Sequence, residues 1–381
     1  MDKTGRRSAS LVVMVADDRE RVADNFRSQM QSAEFHNARF ANSNHASWSG
    51  ERAESGKSTD GAGEVFLVTG AAGLLGAAVV RRLLTERPAG RIVATVHGRS
   101  TPEWMKHLTR SDEDPPRLSV LNGDLGKPNV WRRLPDTITR AIHLAARIER
   151  DADRSQRADV VRDNLGPLAH LIEWAQRAPC LRQVVYASSV SVYGDTSEMV
   201  SETSPPEPAN LYAAAKLAGE DLLGVLTARG ICVSCLRFSS LYGAGMYAET
   251  VLPQMIRQAC EKNEITVFGA GRRTQDFLYI EDAAQATLLA CRHTTAGIFN
   301  VATGTAISMA LLAQSVSETL TGGRARVRFL QDRPEGPPGY AVDVRKVHHV
   351  LGFRARYDLA TGLQEMERQS GAAQSCVSSL S

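Results

Sequence analysis

The sequence predicts an α/β fold: a doubly wound parallel sheet with a smaller mixed lobe at its C-terminal side. Three observations predict it. Short β-branched runs alternate with helical periodicities from Glu64 to about residue 242. A glycine-punctuated turn joins the first such run to the first helix. Beyond residue 243 the alternation gives way to an irregular pattern. Strands separated by helices cannot pair as hairpins, so they pair in parallel through crossovers, with helices on both faces.

The elements follow in order. EVFLVT (64–69) is a strand, and Leu74 to Glu86 is a helix that Pro88 stops. RIVATV (91–96), RLSVL (117–121) and AIHLAA (141–146) read as further strands, and 158–178 as a helix. RQVVYAS (182–188) is a strand, Ala209 to Arg229 a helix, and ICVSCLRF (231–238) closes the series. Past residue 243 the sequence predicts two helical segments, short strands and a Pro/Gly-rich stretch, Arg333–Gly339. The expected domains are a disordered extension over 1–62, a dinucleotide-binding domain over 63–242 and a mainly substrate-binding lobe over 243–369. Some segments of that lobe return to the sheet, and 370–381 is a flexible tail.

Composition narrows the function classes. Of 381 residues, 43% are hydrophobic, enough for a sizeable core. No apolar run approaches the ~18–20 residues of a membrane span. The net charge of +3 is too small to argue for nucleic acid or an anionic membrane. Six Cys in a chain of this length are no disulfide framework. Cys232 and Cys235 fall in a strand rather than at a helix N-terminus, and His348–His349 lacks ligand spacing, so no metal is expected. The expected compartment is the cytoplasm.

Three motifs carry chemistry. Thr69 to Gly76, TGAAGLLG, places glycines at G-x-x-G-x-x-G between a strand and a helix. Gly70 allows the tight turn, Gly73 the approach of backbone to a pyrophosphate, and Gly76 close packing of the helix, whose N-terminus faces the phosphates. This is the Rossmann arrangement for a dinucleotide. At the end of the second strand, His97-Gly98-Arg99-Ser100 lacks the carboxylate expected for a ribose 2′-hydroxyl. Arg99 suits a 2′-phosphate instead, so NAD(P) is expected, with NADP slightly favoured. Asp124, after the third strand, is positioned toward the adenine. Finally, Tyr212-Ala213-Ala214-Ala215-Lys216 puts Tyr212 and Lys216 on one helix face. A cation beside the phenol is expected to pull its pKa down toward the physiological range, and Ser188-Ser189 stands upstream at a strand end.

Together these residues resemble the extended short-chain dehydrogenase/reductases, specifically the NAD-dependent epimerase/dehydratase family. The matching pieces are TGAAGLLG (69–76), NGDL (122–125), HLAA (143–146), SSVSVYG (188–194), YAAAK (212–216), LRFSSLYG (236–243), DFLYIED (276–282), FNVATG (299–304) and LGF (351–353). They cover about 64–368 in family order. The resemblance implies Ser189, Tyr212 and Lys216 as catalytic residues. It implies cofactor contacts from Gly70, Gly73, Leu74, Leu75, Gly76, Arg99, Asp124, Leu125, Ala145, Ala146 and Ser188. It implies a nucleotide-diphosphate sugar near Ser240 and Arg333, with Arg272 and Arg273 either substituting for a family Arg there or serving as surface charge, and a homodimer through segments 158–178 and 209–229. Ser240 replaces the family's Asn, and Gln275 stands where an Arg often precedes Asp276. Val190 and Ser191 occupy the positions of the Asp-Glu pair of the family's dehydratases. On that ground 4,6-dehydration is disfavoured. The expected reaction is C4 epimerisation through a keto intermediate, with NADPH-dependent 4-ketoreduction as the alternative. Behind these stand a reductase of non-sugar alcohols and a non-enzymatic NAD(P) sensor, the latter disfavoured because Tyr212 and Lys216 are both kept.

Overall fold

A computed structural model describes residues 63–86, 90–98, 101–108, 116–148 and 157–369. The extension expected over 1–62, Arg99 with Ser100, and the tail from 370 lie outside the described residues.

The chain opens with β1 (Val65–Thr69), α1 (Leu74–Glu86), β2 (Arg91–Val96), α2 (Glu103–Leu108), β3 (Leu118–Asn122) and α3 (Pro128–Trp131). β4 (Arg140–His143), α4 (Arg157–Ala175), β5 (Gln183–Ser189), α5 (Leu211–Leu223) and β6 (Cys232–Phe238) complete the alternating part. Every residue of β1 is buried, the pattern of a strand covered on both faces. The sheet has seven strands in the order β11-β6-β5-β4-β1-β2-β3, all paired in parallel. Its last member, β11 (Gly297–Val301), comes from the C-terminal part of the chain. The order reverses between β1 and β4, and the crevice beyond the strand ends there is where such sheets bind ligands.

The rest of the lobe is β7 (Ser240–Tyr242), α6 (Val251–Lys262), β8 (Glu264–Phe268), β9 (Thr274–Gln275), β10 (Phe277–Tyr279) and α7 (Ile280–Arg292). After β11 come β12 (Ile307–Ser308), α8 (Met309–Thr321), β13 (Arg326–Leu330), α9 (Arg345–Leu351) and α10 (Leu359–Gln369). This part holds five helices where periodicity predicts two. α7 shows why: it is buried on most sides, with Ile280, Ala283, Ala284, Ala286, Leu288 and Ala290 all in the core, so it has no single apolar stripe to read. It packs against α1 on one face of the sheet, while α4 and α5 pack together elsewhere. Among the described residues, three two-stranded sheets, β7 with β10, β8 with β13 and β9 with β12, lie in this C-terminal part.

Candidate active site

A cavity of about 740 Å³ opens beyond the carboxyl ends of β1, β4, β5 and β6. Its floor is the β1–α1 loop. Gly70 turns at φ +66°, and a Cβ there would sit 2.8 Å from the Ala145 backbone. At Gly76 a Cβ would meet the Gly70 carbonyl at 2.1 Å, so glycine is what lets α1 start this close to the sheet. Gly73 is exposed on the cavity wall. The opening N–H groups of α1 have no partners within the helix and turn toward the same space. This cradle fits a pyrophosphate.

One buried hydroxyl fixes the cradle to the neighbouring strand. Thr69 Oγ1 accepts from the N–H groups of Leu144 (3.2 Å) and Ala145 (3.3 Å). It also lies 2.9 Å from His143 Nδ1. Burial, with the Lys216 charge adding to it, pushes the His143 imidazole down to about 3, so the ring is neutral. With its lone pairs committed, Thr69 gives its proton to Nδ1, and the His143 ring proton sits on Nε2.

One wall of the cavity is made where α5 lies along the end of β5. Asn210 caps α5 by accepting from the Ala213 N–H at 2.9 Å, which sets Tyr212 in the first turn and Lys216 one turn later. Lys216 Nζ donates to the Ala187 carbonyl at 2.6 Å and lies 5.7 Å from the Tyr212 ring. Burial lowers Lys216 to about 8, against the opposing effect of Glu220. Ser189 Oγ accepts from both the N–H (3.1 Å) and the Oγ (2.9 Å) of Ser191, which leaves its own proton to donate to the Tyr212 oxygen.

The expected lowering of Tyr212 does not occur. Burial pushes the phenol up to about 12, opposed by a hydrogen bond with Ser189. Desolvation of the buried phenol dominates, and the Lys216 ammonium donates to the Ala187 carbonyl rather than to Tyr212.

Across the cavity, Ser240 and Gln275 pair side chain to side chain, Gln275 Nε2 donating to Ser240 Oγ. Behind them the buried Asp276 carboxylate accepts from Ser239 Oγ, from the Thr303 N–H and hydroxyl, and from the Thr305 N–H, which ties three loops together. Glu335 accepts from the N–H groups of Ala270 (2.9 Å), Arg272 (2.8 Å) and Arg273 (3.0 Å). That contact draws residues 337–340 along the cavity rim, where the Tyr340 hydroxyl donates to the Val190 carbonyl at 2.6 Å.

The expected residues divide accordingly. Gly70, Gly73, Leu74, Leu75, Gly76 and Ala146 line the cavity, as do Ser188, Ser189, Tyr212, Lys216, Ser240 and Arg273. Ala145 sits behind Gly70. Ser188 faces the space, but its hydroxyl donates to Glu220. Asp124 lies off the cavity wall, its Oδ1 accepting from the Gly126 N–H at 2.9 Å to close a turn. Leu125 is buried beside it, its carbonyl accepting from Trp131 Nε1. Arg272 points to solvent, 82% exposed and 3.4 Å from Glu335, and Arg333 is exposed and away from the lining. Sequence reading missed Ser191, His143 and Tyr340. Ser191 was legible as a hydroxyl two residues from Ser189; the other two act through partners distant in sequence.

The sequence profile of the NAD dependent epimerase/dehydratase family matches residues 66–302. A dTDP-glucose 4,6-dehydratase of Streptomyces niveus is 29% identical over 79% of this chain and 90% of its own. Among solved structures, MoeE5 in complex with UDP-glucose and NAD is 31% identical with a TM-score of 0.69, over 81% of this chain and all (100%) of that one. UDP-glucuronic acid 4-epimerase from Bacillus cereus, in complex with UDP-glucuronic acid and NAD, is 28% identical with a TM-score of 0.69, over 80% of this chain and 98% of that one.

These relatives correct one expectation. The argument against 4,6-dehydration from Val190 and Ser191 does not hold, because several of the matching relatives are dTDP-glucose 4,6-dehydratases. Two side chains do not empty the site of proton-transfer groups: Asp195 and Tyr340 line the same cavity. Matched over more than half its length, the chain belongs to the NAD dependent epimerase/dehydratase family.

Proposed function

We propose that the protein oxidises a nucleotide-linked hexose or hexuronic acid at C4 with NAD and returns the hydride to the opposite face, as a 4-epimerase. The observation that carries this reading is the grouping of Ser189, Tyr212 and Lys216 on one wall of a cavity whose floor is the glycine cradle. NAD, when bound, supplies a hydride acceptor that can give the hydride back. MoeE5 and the Bacillus cereus UDP-glucuronic acid 4-epimerase were each solved with both a UDP-sugar and NAD, and NAD is taken over NADP on that support.

The residues have distinct tasks. The cradle from Gly70 to Gly76 holds the cofactor pyrophosphate. Tyr212 takes the proton of the C4 hydroxyl and later returns it. At about 12 the free phenol is a weak acid, so proton removal depends on charge brought close to it when the site fills. Lys216 holds the nicotinamide ribose and faces the phenolate with its positive charge. Ser189, whose hydroxyl proton faces Tyr212, donates it to the C4 oxygen when substrate enters. Arg273, on the cavity wall, has the charge and fork geometry for the sugar diphosphate.

The test is incubation of the full chain with NAD and, separately, UDP-glucose, UDP-glucuronic acid and dTDP-glucose. A C4 epimer of unchanged mass is the expected product. A product lighter by one water would make the protein a dehydratase. Net reduction of a 4-keto sugar with added NADPH would make it a ketoreductase.

A further inference from the structure

Beyond the three catalytic side chains, α5 and the end of β5 meet at a third level. Tyr212, Lys216 and Glu220 are successive turns of one helix face. They engage three consecutive residues of β5: Tyr212 bonds with Ser189, Lys216 with the Ala187 carbonyl, and Glu220 with the Ser188 hydroxyl. Glu220 is fully buried, and no cavity contact or substrate role occupies it. Its carboxylate receives a bidentate fork from Arg237 on β6, Nε at 2.9 Å and Nη2 at 2.7 Å. Arg237 is itself 1% exposed and stacks over the Tyr193 ring at 4.8 Å.

A fully buried ion pair is a poor device for stability alone, because desolvating both charges cancels much of their attraction. Its position suggests another use. We propose that Glu220 is a positioning residue that keeps the proton on Lys216, and that Arg237 limits the strength of that effect.

When the Tyr212–Lys216 pair has lost one proton, two arrangements have the same total charge. One is phenolate with ammonium; the other is phenol with neutral amine. Only the first removes a proton from substrate and holds a cation against the developing charge. Burial of Lys216 favours the second. Around Lys216 stand His143 of β4, neutral; Tyr186 of β5, whose ring lies 4.8 Å from Nζ; and Tyr212 and Glu220 of its own helix. Cys235 and Arg237 of β6 lie behind Tyr186 and Glu220, the Cys235 thiol held protonated by burial. Of these, Glu220 supplies the fixed negative charge that restores the ammonium.

The inference concerns the charge state of Lys216, and its bearing on turnover rests on the proposed function. The test therefore reads Lys216 without substrate. Full-length protein carrying 13Cε-lysine is titrated by NMR, with Lys216→Met identifying the signal. Glu220→Gln should lower the Lys216 midpoint by about one pH unit or more, and Arg237→Met should raise it. Shifts of opposite sign are not what a loss of packing produces. If either single variant fails to fold, the double variant Glu220→Gln/Arg237→Met leaves neither half of the buried Glu220–Arg237 pair unpaired, and its midpoint should also fall. An unmoved midpoint in Glu220→Gln, or in the double variant, overturns the proposal whatever the enzyme acts on. With UDP-glucose and NAD, the plateau rate of Glu220→Gln should drop about tenfold while the acid limb of its pH profile moves down. A midpoint that shifts in a protein inert toward all three nucleotide sugars leaves the Lys216 inference standing and defeats the functional reading instead.

Discussion

Lys216→Met should make the protein more stable while disabling it. The wild-type ammonium, 2% exposed, is held at about 8 against an ordinary value of 10.5. That difference corresponds to about 3 kcal/mol. The folded chain binds the proton less tightly than the unfolded chain, so protonation favours unfolding. The cost is fully present below about pH 8 and is relieved as pH rises toward 10.5. Methionine fills nearly the same volume without a charge. It leaves the Ala187 carbonyl without its donor at 2.6 Å, a loss of about 1 kcal/mol. The net gain at pH 7 is about 2 kcal/mol, or roughly 4 °C in melting temperature. Urea unfolding of both proteins at pH 7, 8, 9 and 10 reads the difference, which should shrink across the upper part of that range. NAD affinity should fall in the same variant. A variant less stable than wild type at pH 7, or a gap that widens with pH, would refute the assignment of Lys216 as a strained buried cation.

Three further outcomes follow from the site. Tyr212→Phe removes one oxygen from the cavity wall, so turnover should fall by ~10²–10⁴-fold while NAD binding, measured by calorimetry, stays close to wild type. Arg273→Ala should raise KM for a UDP-sugar by about tenfold or more, with a smaller effect on kcat, because a charge-assisted contact to phosphate is made in ground and transition states alike. Arg99→Ala should weaken NADP(H) more than NAD(H) if that guanidinium meets a 2′-phosphate; equal changes in the two dissociation constants would assign it to the surface.

Much of this molecule is legible without coordinates because local chemistry dictates it. Gly70 and Gly76 are required by a turn and a close helix start, and the alternation of β-branched runs with helices implies the parallel pairing, though not the strand order. Tyr212 and Lys216 can be placed on one face by counting alone. What sequence does not show is the consequence of burial. The spacing of Tyr212 and Lys216 suggests a lowered phenol; the packing of α5 on β5 produces a raised one, because desolvation depends on what covers a group. Glu220 and Arg237, on α5 and β6, find each other only once β5 and β6 are paired. AIHLAA reads as one strand, but β4 stops at His143, because the next residues turn to meet Thr69 at the crevice. Nor do Val190 and Ser191 decide against dehydration, because Asp195 and Tyr340, brought to the same cavity by the fold, add to the acids and bases available there.

The central claim is that hydride leaves C4 of a nucleotide sugar and comes back to it. Deuterium tracing tests this most directly, using UDP-glucose labelled at C4 with unlabelled NAD and full-length protein, with the product examined by NMR. The account predicts a C4 epimer that keeps its deuterium at C4, with none released to water. Deuterium recovered at C6 would mean that the hydride is delivered to a dehydrated sugar, and deuterium lost to solvent would mean that C4 is deprotonated rather than oxidised. Either result would contradict the account.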